Sequence, residues 1–330
     1  MPAFGASDSG SNPDRTTIRT EVTPMLQKYV IDNGAIVEST GDDCTWCRIS
    51  EPQGKEIIAV AQRYGFEESK LIAALDADEP SQFDFEDGIA YLLVDVPYRT
   101  SDDGFNTTPM MIAISDTCVV TVCKNDEYVL NRLSSRRTTD KIPVNNHNFT
   151  MKILLAITRE YQLNLKEIDS RRKKIEESIR EEPQDKDILT LHELENSLVY
   201  FITSLKSLKL IIDQIHNADP HLRHEANEAI FKKIIIETQQ AIEMGTIYRE
   251  ILDSTRDLAS TMINNRLSNT MKWLTGATIV LTIPMIITGA YGMNVDLPIQ
   301  VKSYAFAAIV AITGGTCLLI SALLRKKKIF

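Results

Sequence analysis

At 330 residues, with 25% of them charged and a net charge of −9, the chain has the bulk composition of a soluble protein, and its acidity argues against nucleic acid as a partner. Its five cysteines follow no framework spacing, which excludes a small scaffold built on disulfides.

Residues 1–20 read as a disordered tail, because Met1 to Arg15 is rich in Gly, Ser, Asp and Pro and carries no apolar h-region of a signal peptide. Residues 21–147 read as an α/β domain large enough for its own core. Ala35 to Glu38 and Thr45 to Ser50 alternate with period two, while Lys55 to Tyr64 and Glu67 to Leu75 carry apolar residues at helical spacing, with Gly65 as a stop between them. Ile89 to Val96, Thr108 to Ser115 and Val119 to Cys123 are β-branched and apolar, separated by turn residues such as Ser101-Asp102-Asp103-Gly104. The stretch holds no Gly-rich phosphate loop and no nucleophile elbow, so an enzyme reading has no residues to rest on and no organic cofactor is called for. Cys44-Thr45-Trp46-Cys47 is a lone C-x-x-C: a zinc site needs a second pair of ligands, and a thioredoxin-like motif should lead into a helix, whereas alternation continues through Arg48-Ile49-Ser50. It reads as a structural strand.

Residues 148–221 read as an antiparallel helical hairpin, with amphipathic helices over Asn148 to Arg180 and Asp185 to His216 broken at Glu181-Glu182-Pro183-Gln184. The acidic tip reads as a solvated turn, with a divalent-cation role as the competing reading. Ala218-Asp219-Pro220 then turns the chain, and His216, His221 and His224 around that turn read as surface histidines with no acid or thiol at ligand spacing.

Residues 222–291 read as one stalk helix that begins in water and continues as the first membrane span. At about 1.5 Å per residue it would be roughly 100 Å long, too long for any compact domain. Met271 to Tyr291 holds a single charge, Lys272, and the second span over 304–324 holds none. Each is about the length needed to cross a hydrocarbon core of roughly 30 Å. Residues 292–303 form the outer loop, and 325–330 a basic tail. Because Arg325, Lys326, Lys327 and Lys328 follow the second span directly, the C-terminus is expected in the cytoplasm, and two crossings return the first 270 residues to the same side. The expected location is the inner membrane of the cell, multi-pass, with both termini cytoplasmic. From Met271 onward six basic residues stand against the single acid Asp296, a net of +5, so the first 270 residues carry −14 of the total −9. Such a body suits a protein that handles cations.

Along the first span a polar or small residue returns every three or four positions: Asn264, Ser268, Met271, Thr275, Thr278, Thr282, Met285, Gly289 and Gly292. That is the seven-residue period of a helix whose one face meets symmetry mates. Two readings compete, small residues at close helix contacts or a wet pore wall; three threonines and a serine are more than tight packing needs. One chain with two spans cannot encircle a channel, so the pore reading demands a homo-oligomer.

Met271-Lys272-Trp273-Leu274-Thr275, then Ile283-Pro284, and finally Tyr291-Gly292-Met293-Asn294 before a second span and a basic tail resemble the CorA family of magnesium transporters. Leu75-Asp76-Ala77-Asp78-Glu79, Phe85-Glu86-Asp87-Gly88, Tyr91 to Pro97 and Arg256-Asp257-Leu258 are similar to the cytoplasmic part of that family. The resemblance implies an α/β domain on a long-helix stalk with two transmembrane helices, assembled as a funnel-shaped homopentamer in the membrane lipids. It implies a selectivity filter at Gly292, Met293 and Asn294, a pore lined by Asn264, Ser268, Met271, Thr275, Thr278, Thr282, Met285 and Gly289, and an acidic pore mouth at Asp257. Mg2+ would be both cargo and regulatory ligand, with Co2+ and Ni2+ as related cargo. Candidate regulatory ligands at subunit contacts are Asp76, Asp78, Glu79, Glu237 and Glu243. Arg325 to Lys328 would anchor the span at anionic headgroups or form a basic collar around the pore helices. Two positions depart from the family: Ser268, with Asn269 beside it, stands where a pore asparagine is usual, and Lys233 stands where an intersubunit sensor has an aspartate. The competing readings are a zinc or other divalent-metal transporter of the same superfamily, whose zinc members commonly alter the residue at Met293, and a membrane-tethered sensor with no pore.

Overall fold

The structure, a computed structural model, describes residues 25–32, 34–41, 44–52, 54–100, 104–125, 127–134, 145–218, 225–293 and 304–326. The expected tail and the histidines His221 and His224 lie outside the described residues. Packing divides the chain into one unit of residues 1–164 with 200–245 and a second of 165–199 with 246–330. The hairpin and the stalk, each expected as a segment of its own, are therefore shared between units, since helices this long outrun a single core.

The first unit is built on β1 (Met25–Asp32), β2 (Ala35–Glu38), β3 (Trp46–Ser50), β4 (Gln82–Glu86), β5 (Ile89–Arg99), β6 (Phe105–Ile114) and β7 (Val119–Cys123). They form one sheet in the order β2-β1-β3-β7-β6-β5-β4. β3 and β7 run parallel and the other neighbours antiparallel. β1 and β4 are additional to the expected strands, and each is closed by a hairpin. Asp87 and Gly88 both take positive φ, 51° and 81°, between the paired Glu86 and Ile89, the backbone of a two-residue turn that matches strand twist. Pro97 and Pro109 sit in long strands without breaking them. β4 pairs β5 only over Ile89 to Leu93, and β7 pairs β6 only over Met110 to Ile114, so each proline lies where its strand has one partner.

Both faces of the sheet are covered. On one, Cys47, Ile49, Tyr91, Leu93, Met111, Ala113, Val120 and Val122 pack with α1 (Gly54–Tyr64), α2 (Glu68–Ile72) and the 3-10 turn Ala73–Leu75. Gly65, at φ 74°, ends α1, and the Phe66 amide donates back to the Ala61 carbonyl at 3.0 Å. On the other face lie α4 (Asn146–Glu181) and α5 (Asp185–Ala218). Trp46, fully buried, stacks on Tyr29 at 4.7 Å between ring centroids, meets Phe149 of α4 edge-on at 5.4 Å, and donates its indole N–H to Thr121 Oγ1 at 3.0 Å. The Tyr161 hydroxyl donates to the Asp95 carbonyl at 3.0 Å, and Ser204 of α5 donates to Asp95 Oδ2 at 2.7 Å. Buried Arg48 donates to Asn131 Oδ1 on α3 (Glu127–Ser134) at 2.6 Å. The period-two pattern at Thr45 to Ser50 thus separates two cores: Trp46 through Ile49 are all buried.

His216 also differs from its expected place. It is half-buried and stacked on Phe231 of α6 (Glu225–Tyr291) at 4.1 Å.

Replacing Trp46 by Ala should cost about 3–5 kcal/mol, as for other buried aromatic truncations. Far-UV circular dichroism during denaturation should show the midpoint falling for Trp46→Ala. Trp46→Phe should keep most of the ring contacts and lose about 1 kcal/mol from the unmatched Thr121 hydroxyl.

Candidate pore-lining face and cation sites

In the second unit the outer halves of α4 and α5, joined through Glu182-Pro183-Gln184, stand beside the rest of α6, which is followed by α7 (Ala305–Lys326). Pro183 cannot continue α4, and the turn is fixed by the Gln184 amide donating to Asp187 Oδ2 at 3.1 Å. Arginines tie the hairpin to α6. Arg256 donates to Glu195 Oε2 at 2.6 Å. Arg172, 6% exposed, bonds Glu176 at 2.6 Å and Asp169 at 3.1 Å and reaches the Thr255 hydroxyl at 3.4 Å. Arg266 reaches Glu182 Oε1 at 2.9 Å, so the acidic tip is paired and not merely solvated, although both side chains are more than half exposed. A pair that open to water contributes at most about 1 kcal/mol.

α6 is one helix from Glu225 to Tyr291 with Pro284 inside it. Almost none of its apolar stretch, and none of that of α7, is buried within the chain, unlike the core helix of a water-soluble protein. Its faces are divided. Gly276 is buried, and Ala277, Val280, Ile283, Pro284, Ile287 and Tyr291 are half-buried. On this side Cys317 of α7 directs its thiol to the Val280 carbonyl at 3.7 Å. That carbonyl is the one whose i+4 donor is missing, because residue 284 is proline; a neighbouring helix thus supplies the partner that the proline removes.

The predicted stripe lies on the other side. Asn264, Ser268, Met271, Thr275, Thr278, Thr282, Met285, Gly289 and Gly292 are all exposed in the single chain. At 3.6 residues per turn the stripe and the α7-facing row are about 180° apart. Trp273, Leu274, Leu281 and Ile286 are exposed too, so the stripe is set apart by its chemistry and by its direction. Thr278 donates its hydroxyl to the Leu274 carbonyl at 2.8 Å, and Thr282 to that of Thr278 at 2.7 Å. With their protons used inside the helix, these oxygens keep lone pairs for an outside donor. Asn269 does not share the stripe. It lines a groove with Arg180, Pro183, Met262, Arg266 and Trp273 at the hairpin tip, so it does not stand in for the asparagine expected at Ser268.

At the end of α6 the Gly292 amide donates to the Thr288 carbonyl at 2.9 Å, and a Cβ at Gly292 would lie 3.3 Å from that oxygen. Met293 is 57% exposed. Asn294, Lys327 and Lys328 lie outside the described residues; Arg325 and Lys326 are exposed in the last turn of α7, which carries the helix two residues beyond the expected span. Asp257 is exposed on α6 beside the Arg256–Glu195 pair.

The acids suggested as regulatory ligands have local partners. Asp76 Oδ1 accepts the Asp78 amide at 3.0 Å, an Asx turn beyond the 3-10 turn that leaves Asp76 and Asp78 exposed and Glu79 half-buried. Glu237 accepts the Gln162 side-chain amide at 2.9 Å, Glu243 accepts that of Gln239 at 2.9 Å, and Lys233 is exposed on the same helix. Among the described residues no three His, Cys, Asp or Glu side chains come together so as to hold a metal ion.

Residues 41–326 match the profile of the family described as CorA-like Mg2+ transporter protein. The chain is 24% identical over 296 residues, 86% of its length and 92% of the relative's, to the cobalt/magnesium transport protein CorA of Methanocaldococcus jannaschii. To the protein of that name from Thermotoga maritima it is 24% identical over 177 residues, 52% of this chain and 50% of that one. The complete structure of the M. jannaschii CorA magnesium transporter superposes with a TM-score of 0.76 at 21% identity, covering 92% of this chain and 98% of that one; at that identity the match speaks for the fold.

The Arg172 cluster sets an acid limit on the second unit. Hydrogen bonds from Arg180 and then Arg172 hold the Glu176 carboxyl below its ordinary value of 4.5. A carboxyl lowered by folding lends stability that is complete above its unfolded value and is lost as pH falls through the folded one. Thermal melting followed from neutral pH downward should show that loss. Glu176→Gln should flatten this limb and, at neutral pH, cost about 1–2 kcal/mol because buried Arg172 loses a charged partner.

Proposed function

The chain belongs to the CorA-like Mg2+ transporter family, and on that premise we propose that five copies stand around a common axis and conduct hydrated Mg2+, with Co2+ and Ni2+ as related cargo, into the cell. What carries the reading is the row from Asn264 to Gly289, exposed along its length and turned away from α7. Copies arranged about an axis on that side would line a pore with hydroxyl, amide, thioether and glycine positions, with α7 in the outer ring. The side chains are neutral, and that suits the ion. Mg2+ gives up water reluctantly and holds a rigid octahedral shell. A wall of acceptors can hydrogen-bond the ion's waters without stripping them. Gly292, Met293 and Asn294 then form the outer filter: glycine lets backbone oxygens approach, and the neutral amide of Asn294 holds the hydrated ion loosely enough to release it.

No ATP is needed for uptake. A divalent ion moving inward through about 100 mV gains roughly 4.6 kcal/mol, so the protein must supply a brake. Exposed Asp257 from each copy forms an acidic ring at the inner mouth, in a body that carries −14 over its first 270 residues. Internal Mg2+ bridging acids between copies, drawn from Asp76, Asp78, Glu79, Glu237 and Glu243, holds them together. Its loss lets them splay, a population shift driven by differential affinity. Arg325 to Lys328 sit at cytoplasmic headgroups or as a collar at the same level.

In a strain that requires added magnesium for growth, the wild-type chain should rescue growth and Asn294→Ala should not. In proteoliposomes the variant should lose Mg2+ flux by about tenfold or more, since every copy gives up a hydrogen bond worth on the order of 1 kcal/mol to the ion's water, with the oligomer unchanged in gel filtration. Growth rescued equally by Asn294→Ala, with no Mg2+ flux from either protein in proteoliposomes, would favour a tethered sensor. Flux of Zn2+ that requires a pH gradient would favour the metal-selective alternative against which Met293 speaks.

A further inference from the structure

Three of the five cysteines meet on one face of the sheet. Cys47 of β3 and Cys118, directly before β7, belong to the core that α1 and α2 cover, and half-buried Cys44 packs against it. The parallel pairing of β3 with β7 causes this. Trp46 stands opposite Val119, the Val119 amide donates to the Thr45 carbonyl at 2.9 Å, and the segments leading into the two strands are thereby aligned. Cys44 Sγ and Cys118 Sγ lie 3.9 Å apart. Cys118 is fixed by a tight turn in which its amide donates to the Ser115 hydroxyl at 3.2 Å and the Ser115 amide to its carbonyl at 3.0 Å. Tyr64, at the end of α1, packs against the same cluster with a buried hydroxyl that has no hydrogen-bond partner. It is a donor available to a sulfur anion.

We propose that Cys44 is a site of thiol–disulfide exchange with low-molecular-weight disulfides, and that Cys118 resolves the adduct into a reversible Cys44–Cys118 bridge. The Cys44 thiolate attacks one sulfur of the small disulfide, whose S–S bond breaks and releases one thiolate. Cys118 then gives its proton to the small thiolate released in the first step and attacks Cys44 Sγ, releasing the second, which is protonated in solvent. The protein gives up two electrons, and one small disulfide becomes two thiols. The sulfurs must close from 3.9 Å to about 2.05 Å, the length of an S–S bond, a movement within reach of the half-buried, pre-strand Cys44. The roles fit the protonation of the group. Hydrogen bonds from Cys118 and then Cys47 hold the Cys44 thiol below the ordinary range, and the bond to Cys44 followed by burial holds Cys118 above it. A lowered thiol is the attacking one. Cys47 is the less suitable partner, being held in the ladder opposite Lys28 and Val120. The exchange uses the α/β unit alone and is independent of ion conduction.

The full-length protein in detergent, incubated with oxidised glutathione at neutral pH, should lose two of its five free thiols. Peptide mapping should find Cys44 joined to Cys118, and dithiothreitol should reverse it. Cys118→Ser should arrest at a single glutathione adduct on Cys44, and Cys44→Ser should abolish the reaction, with unchanged circular dichroism in both. A mapped Cys44–Cys47 bridge, a wild-type adduct that never resolves, or a Cys44 that reacts only after unfolding in urea would overturn the proposal, and the wild-type map decides even if a variant fails to fold.

Discussion

A helix that leaves water for an apolar medium must keep every backbone group satisfied from within, and the second unit is arranged around that requirement. α6 runs unbroken through its apolar stretch, and where Pro284 withdraws an amide the freed carbonyl of Val280 is met by the thiol of Cys317. That contact also fixes direction. Once the side bearing Gly276, Val280 and Pro284 faces α7, the hydroxyl- and glycine-bearing row must face the opposite way. The choice of where to put one proline and one cysteine thus bears on which chemistry is offered outward.

The first unit meets a different constraint. Where helices cover both faces of the sheet, the central strands have no solvent side, so β3 and β7 are buried along almost their whole length and the buried polar side chains in them are paired, while the edge strands β2 and β4 stay largely open to water. Trp46 with Thr121, Arg48 with Asn131, and Asp95 with Ser204 each mark a point where a side chain secures a strand to its neighbour or to a helix across the layer. The parallel pairing of β3 with β7 also brings Cys118 to Cys44 and Cys47, from which it is far apart in sequence.

Charge is used sparingly and locally. Arg172, Arg256 and Arg266 hold the hairpin to α6 through Asp169, Glu176, Glu195 and Glu182, leaving Asp257 exposed next to a neutralised pair. Glu237 is instead held by the neutral side-chain amide of Gln162, which fixes its carboxylate without cancelling its charge.

The stripe of α6, the two spans, the break at Pro183 and the stop at Gly65 were legible in the residues, because each is a local rule of period, length or backbone freedom that the chain obeys wherever it folds. β4 is legible in principle from Asp87-Gly88, a hairpin signal flanked by Phe85 and Ile89, and β1 from the glycine at Gly34. Other features depend on which distant segments meet. No pattern in sequence says that Arg266 reaches Glu182, that Asn269 turns to the hairpin tip while Ser268 does not, that His216 stacks on Phe231, or that Cys118 comes to Cys44. Periodicity determines which residues share a face of an element; only packing between elements decides what that face will touch, since burial and pairing energies belong to contacts and not to positions in the chain.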